Sequence, residues 1–170
     1  MSRIRSLPLP EHALHAHYAR ESAYTDCYST VVDRPVTHAE FVEAFYTTWL
    51  FKLERWILAW SVKKPSTDAE ARQIARGEIA HFAAWTLEAR ARDQLLMCDF
   101  LGATHSWFMV APEGTGTRLY FGSVVTSRVD PSTGRRELGR NYRAFMGFHK
   151  LYSRALLHSA RSRLRIPLPG

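Results

Sequence analysis

The chain has 170 residues, of which 46% are hydrophobic, and 23 Lys and Arg against 16 Asp and Glu give a formal net charge of +7 at pH 7. This size and composition fit one globular unit with a single hydrophobic core. They do not fit a secreted or membrane-spanning chain, because residues 7–10 are short and proline-broken and the most apolar helical stretch contains Lys52, Glu54 and Arg55. We therefore expect a soluble, cytoplasmic protein.

The positive charge is concentrated near the C-terminal end. Residues 131–170 contain nine Lys and Arg and one Glu, a net +8, so residues 1–130 carry 14 basic against 15 acidic side chains, a net −1. A basic segment on a neutral body can bind nucleic acid or an anionic membrane. We favour the simpler interpretation, which is a solvated flank of a helix.

The sequence predicts three segments: a flexible N-terminal arm over residues 1–20, an α+β domain over residues 21–165, and a short tail over residues 166–170. The arm contains two prolines and no hydrophobic periodicity. Its His12, His15 and His17 are accompanied by no Cys or carboxylate motif, so we expect no metal site there.

The first part of the domain predicts one strand followed by helices. Residues 24–32 are rich in β-branched and aromatic side chains and end at a turn sequence, which predicts a strand. Thr37 and Glu40 form a capping box that opens a helix over residues 38–61, and Thr47 and Thr48 in its middle predict a kink or a split. This helix has one aromatic stripe, formed by Phe41, Phe45, Trp49, Trp56 and Trp60. Core packing is the usual role of such a stripe, and a wall of a hydrophobic ligand site is the alternative.

A second capping box, Thr67 with Glu70, predicts a short helix that ends near Gly77. Residues 83–127 then predict a meander of antiparallel strands, with turns at Arg92–Asp93, at Gly102–Ala103 and in a loop over residues 112–116. Those turns give the cross-strand pairs Trp85 with Phe100, Leu87 with Cys98, Phe100 with His105, Cys98 with Trp107, Trp107 with Phe121, and Met109 with Leu119. One face of the sheet is then strongly apolar, and the other is mostly polar.

Residues 130–134 are a turn sequence that we expect to lead into a short strand near residues 136–138. Asn141 is predicted to cap a long last helix, in which Phe145, Phe148, Tyr152 and Leu156 recur at helical spacing. This helix is the only predicted element long enough to cover the apolar face of the meander.

The order of strand, two helices, meander and long C-terminal helix predicts an α+β fold. It resembles the helix-grip fold of the START-like superfamily, which includes polyketide cyclase-like and lipid-transfer proteins, in the elements from the strand at residues 24–32 to the helix after Asn141. The resemblance implies a curved antiparallel sheet that grips the last helix, with a hydrophobic cavity between them. It lies in element order and patterning, because the chain contains no short diagnostic motif and has one strand fewer than the usual pattern.

Motifs for several common chemistries are missing from the sequence. There is no Gly-rich phosphate loop, no His-Glu-x-x-His, no Gly-x-Ser-x-Gly and no Cys-x-x-Cys. The two cysteines, Cys27 and Cys98, lie far apart and form no metal or redox motif, which fits a reducing compartment. We therefore expect no metal and no cofactor.

The predicted registers set His105 and Ser123 opposite each other as the polar pair of the apolar face. Together they could orient a ligand carbonyl or act in acid–base chemistry, and a core histidine with local hydrogen bonds is the simpler alternative. The predicted ligand site consists of Trp85, Phe100, His105, Trp107, Phe121, Ser123, His149 and Tyr152.

The leading hypothesis is a protein that binds a hydrophobic small molecule in this cavity, with cyclase-like or hydratase-like acid–base activity as an extension of it. Whether the protein is an enzyme stays open at this stage. The second hypothesis is an interaction protein that uses its basic C-terminal helix on nucleic acid or an anionic membrane. The third is a homodimer module, with an exposed patch on the outer face of the sheet formed by Leu95, Met97, Phe108 and Val110.

Overall fold

The computed structural model describes residues 3–21, 23–61, 63–126, 128–129, 136–137 and 142–165. The strands are β1 (Arg5–Ser6), β2 (Tyr24–Val32), β3 (His81–Phe82), β4 (Trp85–Arg90), β5 (Gln94–Asp99), β6 (Thr104–Glu113), β7 (Gly116–Val125), β8 (Arg128–Val129) and β9 (Arg136–Glu137). The helices are α1 (Ala16–Arg20), α2 (His38–Tyr46), α3 (Trp49–Ser61), α4 (Asp68–Arg76) and α5 (Tyr142–Arg165).

Seven of these strands form one antiparallel sheet in the order β1-β2-β7-β6-β5-β4-β3, and β8 pairs with β9 separately. The long helix α5 packs on one side of the large sheet, together with α2. This is the helix-grip arrangement, and the predicted α+β fold class is confirmed. Asn141, the predicted cap of the last helix, and the turn at residues 130–134 lie outside the described residues.

Local sequence signals explain where the first helices begin and end. Thr37 and Thr67 cap α2 and α4, each with the reciprocal bond from its backbone to a glutamate three residues on. The Thr47 hydroxyl donates to the carbonyl of Glu43, and the Thr48 hydroxyl accepts from the backbone of Phe51. These two bonds close α2 and open α3, so the predicted split at the two threonines is confirmed.

The helix face of the sheet, defined as the side on which α2 and α5 pack, is covered at its centre by α2 rather than by α5. The ring of Phe45 lies 4.8 Å from that of Phe108 and 4.6 Å from that of Phe121, and Phe41 lies 5.9 Å from Phe108. These side chains are almost fully buried. The aromatic stripe of the predicted helix is therefore divided: its α2 part is core.

Helix α5 runs along β2, near one edge of the sheet. Its His149 contacts Ser123 beside Asp26, and its Arg161 donates to the carbonyl of Val31. The two contacts are twelve residues apart on α5 and five residues apart on β2. Both separations correspond to roughly 17 Å, as expected if the helix lies along the strand. Of the residues predicted to pack on the sheet, Leu156 is buried, Tyr152 is half-buried, and Phe148 is 64% exposed.

The opposite side, the arm face, is covered by the N-terminal segment, where the sequence predicted no regular structure. This segment contributes β1 on the sheet edge and α1, and Ala13 and His15 in it are buried. Its apolar residues pack on a second cluster formed by Cys27, Leu96, Trp107 and Met109. The Gln94 side chain joins the two layers, because it accepts from the backbone of Leu14 and donates to the carbonyl of His12.

Two faces rather than one are therefore buried, and this overturns the predicted outer patch. Leu95, Met97 and Phe108 are fully buried in the core of the helix face, and Val110 packs against it. These four residues cannot form an exposed dimer surface.

The predicted pairing of β6 with β7 is wrong by one residue. The strands are joined by a tight turn at Gly114–Thr115, with Gly114 at φ +57°, instead of the predicted five-residue loop. Trp107 therefore pairs with Gly122 and Phe108 with Phe121. Because side chains alternate along a strand, this single step places Trp107 and Phe121 on opposite faces.

The predicted pairing of β5 with β6 is wrong by two residues. Because a shift of two keeps side chains on the same side of a strand, Cys98, His105 and Trp107 still share one face. The Asp99 carboxylate accepts from the backbone of Leu101 and Ala103 and from the hydroxyl of Thr104. These bonds close a four-residue loop over residues 100–103, so Phe100 lies in that loop and is 49% exposed. Cys98 then pairs with His105.

The predicted pairing of β4 with β5 is wrong by one residue at Trp85 and Leu87, where Trp85 pairs with Asp99 instead of Phe100, and a bulge follows that the sequence did not indicate. The register shifts between Leu87 and Ala89, so Leu87 pairs with Met97 and Ala89 with Leu96. Such a bulge re-aims the extra residue. Here it leaves Glu88 and Ala89 both on the arm face.

Candidate functional site

The structure separates the polar pair that the sequence predicted. His105 lies on the arm face, where its Nδ1 is 2.6 Å from a carboxylate oxygen of Glu88. Ser123 lies on the helix face, opposite Ser106. The predicted pairing of His105 with Ser123 is therefore wrong, since the one-residue shift between β6 and β7 moves them to different sides of the sheet.

The other predicted ligand-site residues fall in three places. On the helix face lie Trp85, Phe121, Ser123, His149 and Tyr152. Trp107 lies with His105 on the arm face, and Phe100 lies in the loop after β5. Ligand binding by any of them stays a prediction, but one site cannot contain all eight.

Ser123 and His149 do meet, and they meet at a carboxylate. The Ser123 hydroxyl donates to Asp26 over 2.7 Å and lies 2.6 Å from Nε2 of His149. Asp26 also accepts from the backbone of Ser123 and from the hydroxyl of Tyr24. We call Asp26, Ser123 and His149 the β2–α5 cluster.

The number of protons available in this cluster determines which of its atoms donate and which accept hydrogen bonds. A serine hydroxyl has one proton, and here it is given to the Asp26 carboxylate, which can only accept. Nε2 of His149 must then carry a proton and donate it to the Ser123 oxygen, which leaves Nδ1 as the basic ring nitrogen. Ser123 is not poised as a nucleophile, because Nε2 of His149 already carries a proton and cannot take the proton of the Ser123 hydroxyl.

The β2–α5 cluster is only partly shielded from solvent. The side chain of His149 is 18% exposed and that of Asp26 is 7% exposed. Burial lowers the pKa of His149, and the Asp26 carboxylate acts in the opposite direction. The imidazole is therefore neutral at neutral pH and can exchange a proton.

Aromatic and basic groups lie around the β2–α5 cluster. The ammonium group of Lys150 lies 5.6 Å from the ring centre of Tyr24. Tyr28 lies two residues after Asp26 on β2, on the same face of the sheet. Burial raises the pKa of Tyr28 to about 12. A polar seam thus separates the first half of α5 from β2.

Apolar side chains are exposed on α5 and on its neighbour α3. Tyr152 of α5 donates a hydrogen bond to Glu54 of α3, and burial raises the pKa of that glutamate. Phe148 stacks on Tyr152 with ring planes 10° apart. Among the side chains of these two helices that the structure describes, the exposed large apolar ones are Trp49, Leu53, Trp56, Ile57, Trp60, Phe148 and Leu151.

A separate groove of about 1080 Å³ lies at the other end of β6 and β7. Its lining comes from residues 35–38 and Glu40, from Arg92 and Asp93, and from residues 110–112 and 114–117. The buried His38 is part of this lining, and its Nε2 has no hydrogen-bond partner in the described part of the chain. The groove is distant from the β2–α5 cluster, because Ser123 lies near the opposite end of β7.

The arm face contains the one group of potential metal ligands found among the described residues. Glu88, Cys98 and His105 each present a donor atom, and these atoms lie within 4.8 Å of one another. No sequence pattern indicates this group, since the three residues lie on three strands and come together only through the observed registers and the bulge at Glu88. Asp26 was also missed, although a carboxylate inside an otherwise β-branched and aromatic strand is a usable signal.

Several basic side chains of α5 are engaged within the molecule. Arg161 donates to the carbonyl of Val31, Arg163 to that of Thr47, and Arg165 lies 3.7 Å from the carboxylate of Asp33. These contacts favour a structural role for this end of the helix over a polyanion-binding surface. Within the described residues, no helix has the length and apolar character needed to cross a bilayer.

Comparisons with known proteins add little to this picture. No family model matches the chain, and no curated protein matches it. A solved structure that resembles it is CalU16 from Micromonospora echinospora, with 11% identity and a TM-score of 0.30 over 96% of this chain and 92% of that one. At that score the likeness carries no argument. The class of the fold, a helix-grip α+β protein, rests on the chain's own topology, and START-like membership stays a prediction.

Proposed function

We propose that this protein binds a small amphipathic molecule at the β2–α5 cluster. The observation that carries the proposal is the hydrogen-bonded chain of Asp26, Ser123 and His149, partly open to solvent beside exposed apolar side chains of α5. Binding sites combine an apolar lining with a few convergent polar groups, and this end of α5 brings the two together. The cluster would hold the polar group of the ligand, and Phe148, which stacks on Tyr152, would contact its apolar part.

The proposed site differs from the one predicted from sequence. The centre of the helix face is filled by Phe41, Phe45 and Tyr46, whose rings contact the sheet directly. The ligand therefore lies at the edge of the sheet near the start of α5, and not under the middle of the helix. Phe121 belongs to the core, and Trp85, on β4 far across the sheet from β2, packs against Phe51 away from the site.

The test uses the neutral dye N-phenyl-1-naphthylamine, whose N–H can donate to the basic Nδ1 of His149 and whose emission brightens and shifts to the blue in apolar surroundings. We expect the full chain to bind the dye, and His149→Phe to weaken binding roughly threefold to tenfold through one lost hydrogen bond. The matched control is His158→Gln, an exposed position on the same helix. Equal binding of the dye by both variants would show that the β2–α5 cluster is not part of the binding site.

A second candidate function, acid–base turnover of the bound molecule, is supported by the state of His149. Its lowered pKa keeps the ring neutral, and its tautomer leaves Nδ1 basic. Cyclase-like or hydratase-like chemistry needs such a group near neutrality. His149→Gln retains a side-chain acceptor but no titratable base, so we expect it to bind the dye while abolishing turnover of any substrate found.

A further inference from the structure

The arm face contains a second polar cluster, which the proposed ligand site does not use. Glu88 of β4, Cys98 of β5 and His105 of β6 are brought together by the pairing of Cys98 with His105 and by the bulge that keeps Glu88 on this side. Their donor atoms are a carboxylate oxygen, a thiol sulfur and an imidazole nitrogen, all within 4.8 Å of one another.

We propose that Glu88, Cys98 and His105 form a binding site for a divalent transition-metal ion, with Zn²⁺ as the best match. Zn²⁺ takes sulfur, nitrogen and carboxylate ligands, whereas Mg²⁺ and Ca²⁺ prefer oxygen alone. Three protein ligands leave a fourth position for water, and the side chain of Glu88 is 27% exposed, so the site has an opening to solvent. The inference is independent of the proposed function at the β2–α5 cluster.

The distances suit a site that closes on a metal with small side-chain rotations. Donor atoms around a tetrahedral Zn²⁺ lie roughly 3.3 to 3.8 Å apart, as follows from bond lengths of about 2.0 to 2.3 Å. The present hydrogen bond between His105 and Glu88 is 2.6 Å and must lengthen, while the separations of up to 4.8 Å must shorten. Both changes are about 1 Å. When the ion binds, the Cys98 thiol passes its proton to solvent, and the proton between His105 and Glu88 leaves Nδ1, so the neutral ring carries its proton on Nε2.

Two further observations distinguish this cluster from a chance grouping of polar residues. His105 is only 4% exposed, and its Nε2 has no hydrogen-bond partner in the part of the chain that the structure describes. Among the described residues the ring's hydrogen bond joins Nδ1 to Glu88, so the ring is held by a member of the cluster and not by a partner outside it. Tyr18 of α1 donates to the second oxygen of Glu88 over 2.8 Å, and its ring lies 4.5 Å from that of His105. It acts as the outer partner that fixes a ligating carboxylate.

The test is titration of the reduced, chelator-treated full chain with Co²⁺, which reports thiolate ligation by an intense near-ultraviolet absorption band. We expect one equivalent of Co²⁺ to give this band, and Zn²⁺ but not Mg²⁺ to remove it by displacement. Cys98→Ser should lose the band, and Cys27→Ser, which changes the other cysteine, should keep it. Tyr18→Phe should weaken Co²⁺ binding about tenfold, and Glu88→Gln should weaken it more.

Glu88→Gln is expected to fold, because it changes a partly exposed side chain and leaves the core intact. A loss of Co²⁺ binding in this variant can therefore be assigned to the missing ligand. Circular dichroism of each variant gives the folded fraction. The proposal is overturned if the wild-type chain shows no near-ultraviolet band in excess Co²⁺, or if the band is as strong in Cys98→Ser as in Cys27→Ser. It is also overturned if Glu88→Gln, shown to be folded, binds Co²⁺ as tightly as the wild type.

Discussion

The two faces of the sheet are covered in different ways, and their polar groups differ accordingly. The helix face is closed by interlocking aromatic rings of α2, β6 and β7. The arm face is closed by a short N-terminal segment that depends on the hydrogen bonds of Gln94. A thick aromatic layer leaves room for polar groups only at its margin, where the β2–α5 cluster lies. The thin layer instead covers the buried His105 of β6, whose partner Glu88 lies on β4 towards the other edge of the sheet and is partly exposed.

The largest difference between the faces should appear in the core of the helix face. Phe45→Ala removes a fully buried ring that contacts both Phe108 and Phe121, so we expect it to lower the free energy of unfolding by about 3 to 5 kcal/mol. Denaturant melts measure this loss. Phe148→Ala, at an exposed ring, is the matched control and should cost under about 1 kcal/mol. Similar losses for the two variants would show that α2 does not close the helix face.

The next effect is a pH dependence that arises at the helix face. Burial lowers the pKa of His38 to about 4, Arg90 lowers it further, and Asp93 and a hydrogen bond to the backbone of Phe108 oppose the shift. The folded pKa lies below the unfolded value of 6.5, so the unfolded chain binds the extra proton first. Stability is therefore complete above pH 6.5 and is lost as the pH falls towards 4, by roughly 3 kcal/mol for this group.

His38→Leu should flatten that slope in urea melts recorded between these two pH values. Part of the slope should remain, because burial also lowers the pKa of His15 to about 4. Gln73→Leu, which changes no titratable group, should leave the slope unchanged. A slope in His38→Leu equal to that of the wild type would contradict a neutral, buried His38.

The arm face should respond less to the loss of its central contact. Gln94→Leu leaves the backbone of Leu14, the carbonyl of His12 and the indole of Trp107 without their partner. We expect a loss of about 1 to 3 kcal/mol and faster proteolysis within residues 7–20, with the helix face intact. Limited proteolysis followed by mass spectrometry locates the cleavage. If Gln94→Leu resists protease as well as Gln73→Leu on α4, the arm is held by its apolar contacts alone.

The smallest effect should come from a helix cap outside both faces. Thr67→Ala removes the side chain that caps α4, and we expect a loss of about 1 kcal/mol. Thr115→Ala, in the exposed turn between β6 and β7, is the control and should be close to neutral. Thermal melts of the two variants check this difference, and equal midpoints would show that the capping box contributes nothing measurable.

Signals that act over a few residues were readable from the sequence. The strand over residues 24–32, both capping boxes, the break at Thr47 and Thr48 and the end of α4 at Gly77 all depend on local bonding, and the structure has them where the sequence predicted. Hairpin registers were not readable, because they depend on how Asp99 bonds to its own loop and on whether Gly114 forms a tight turn.

The sites were the least predictable part, for the same reason. Asp26 and Ser123 are 97 residues apart, and no local pattern indicates that they bond. His149 was predicted to lie near Ser123 and does so, whereas His105 was placed on the wrong side by a one-residue error. Covering of the arm face could not be inferred, because residues 7–20 pack by a few interdigitated side chains without helical or strand periodicity.

The central claim is that the β2–α5 cluster holds a small amphipathic ligand, and native mass spectrometry of the chain purified from its own host tests it most directly. The account predicts a retained mass on the wild-type chain and on His158→Gln, and loss of that mass from His149→Phe with the fold preserved. A retained mass of equal occupancy on all three proteins would contradict the claim, because the ligand would then bind without His149.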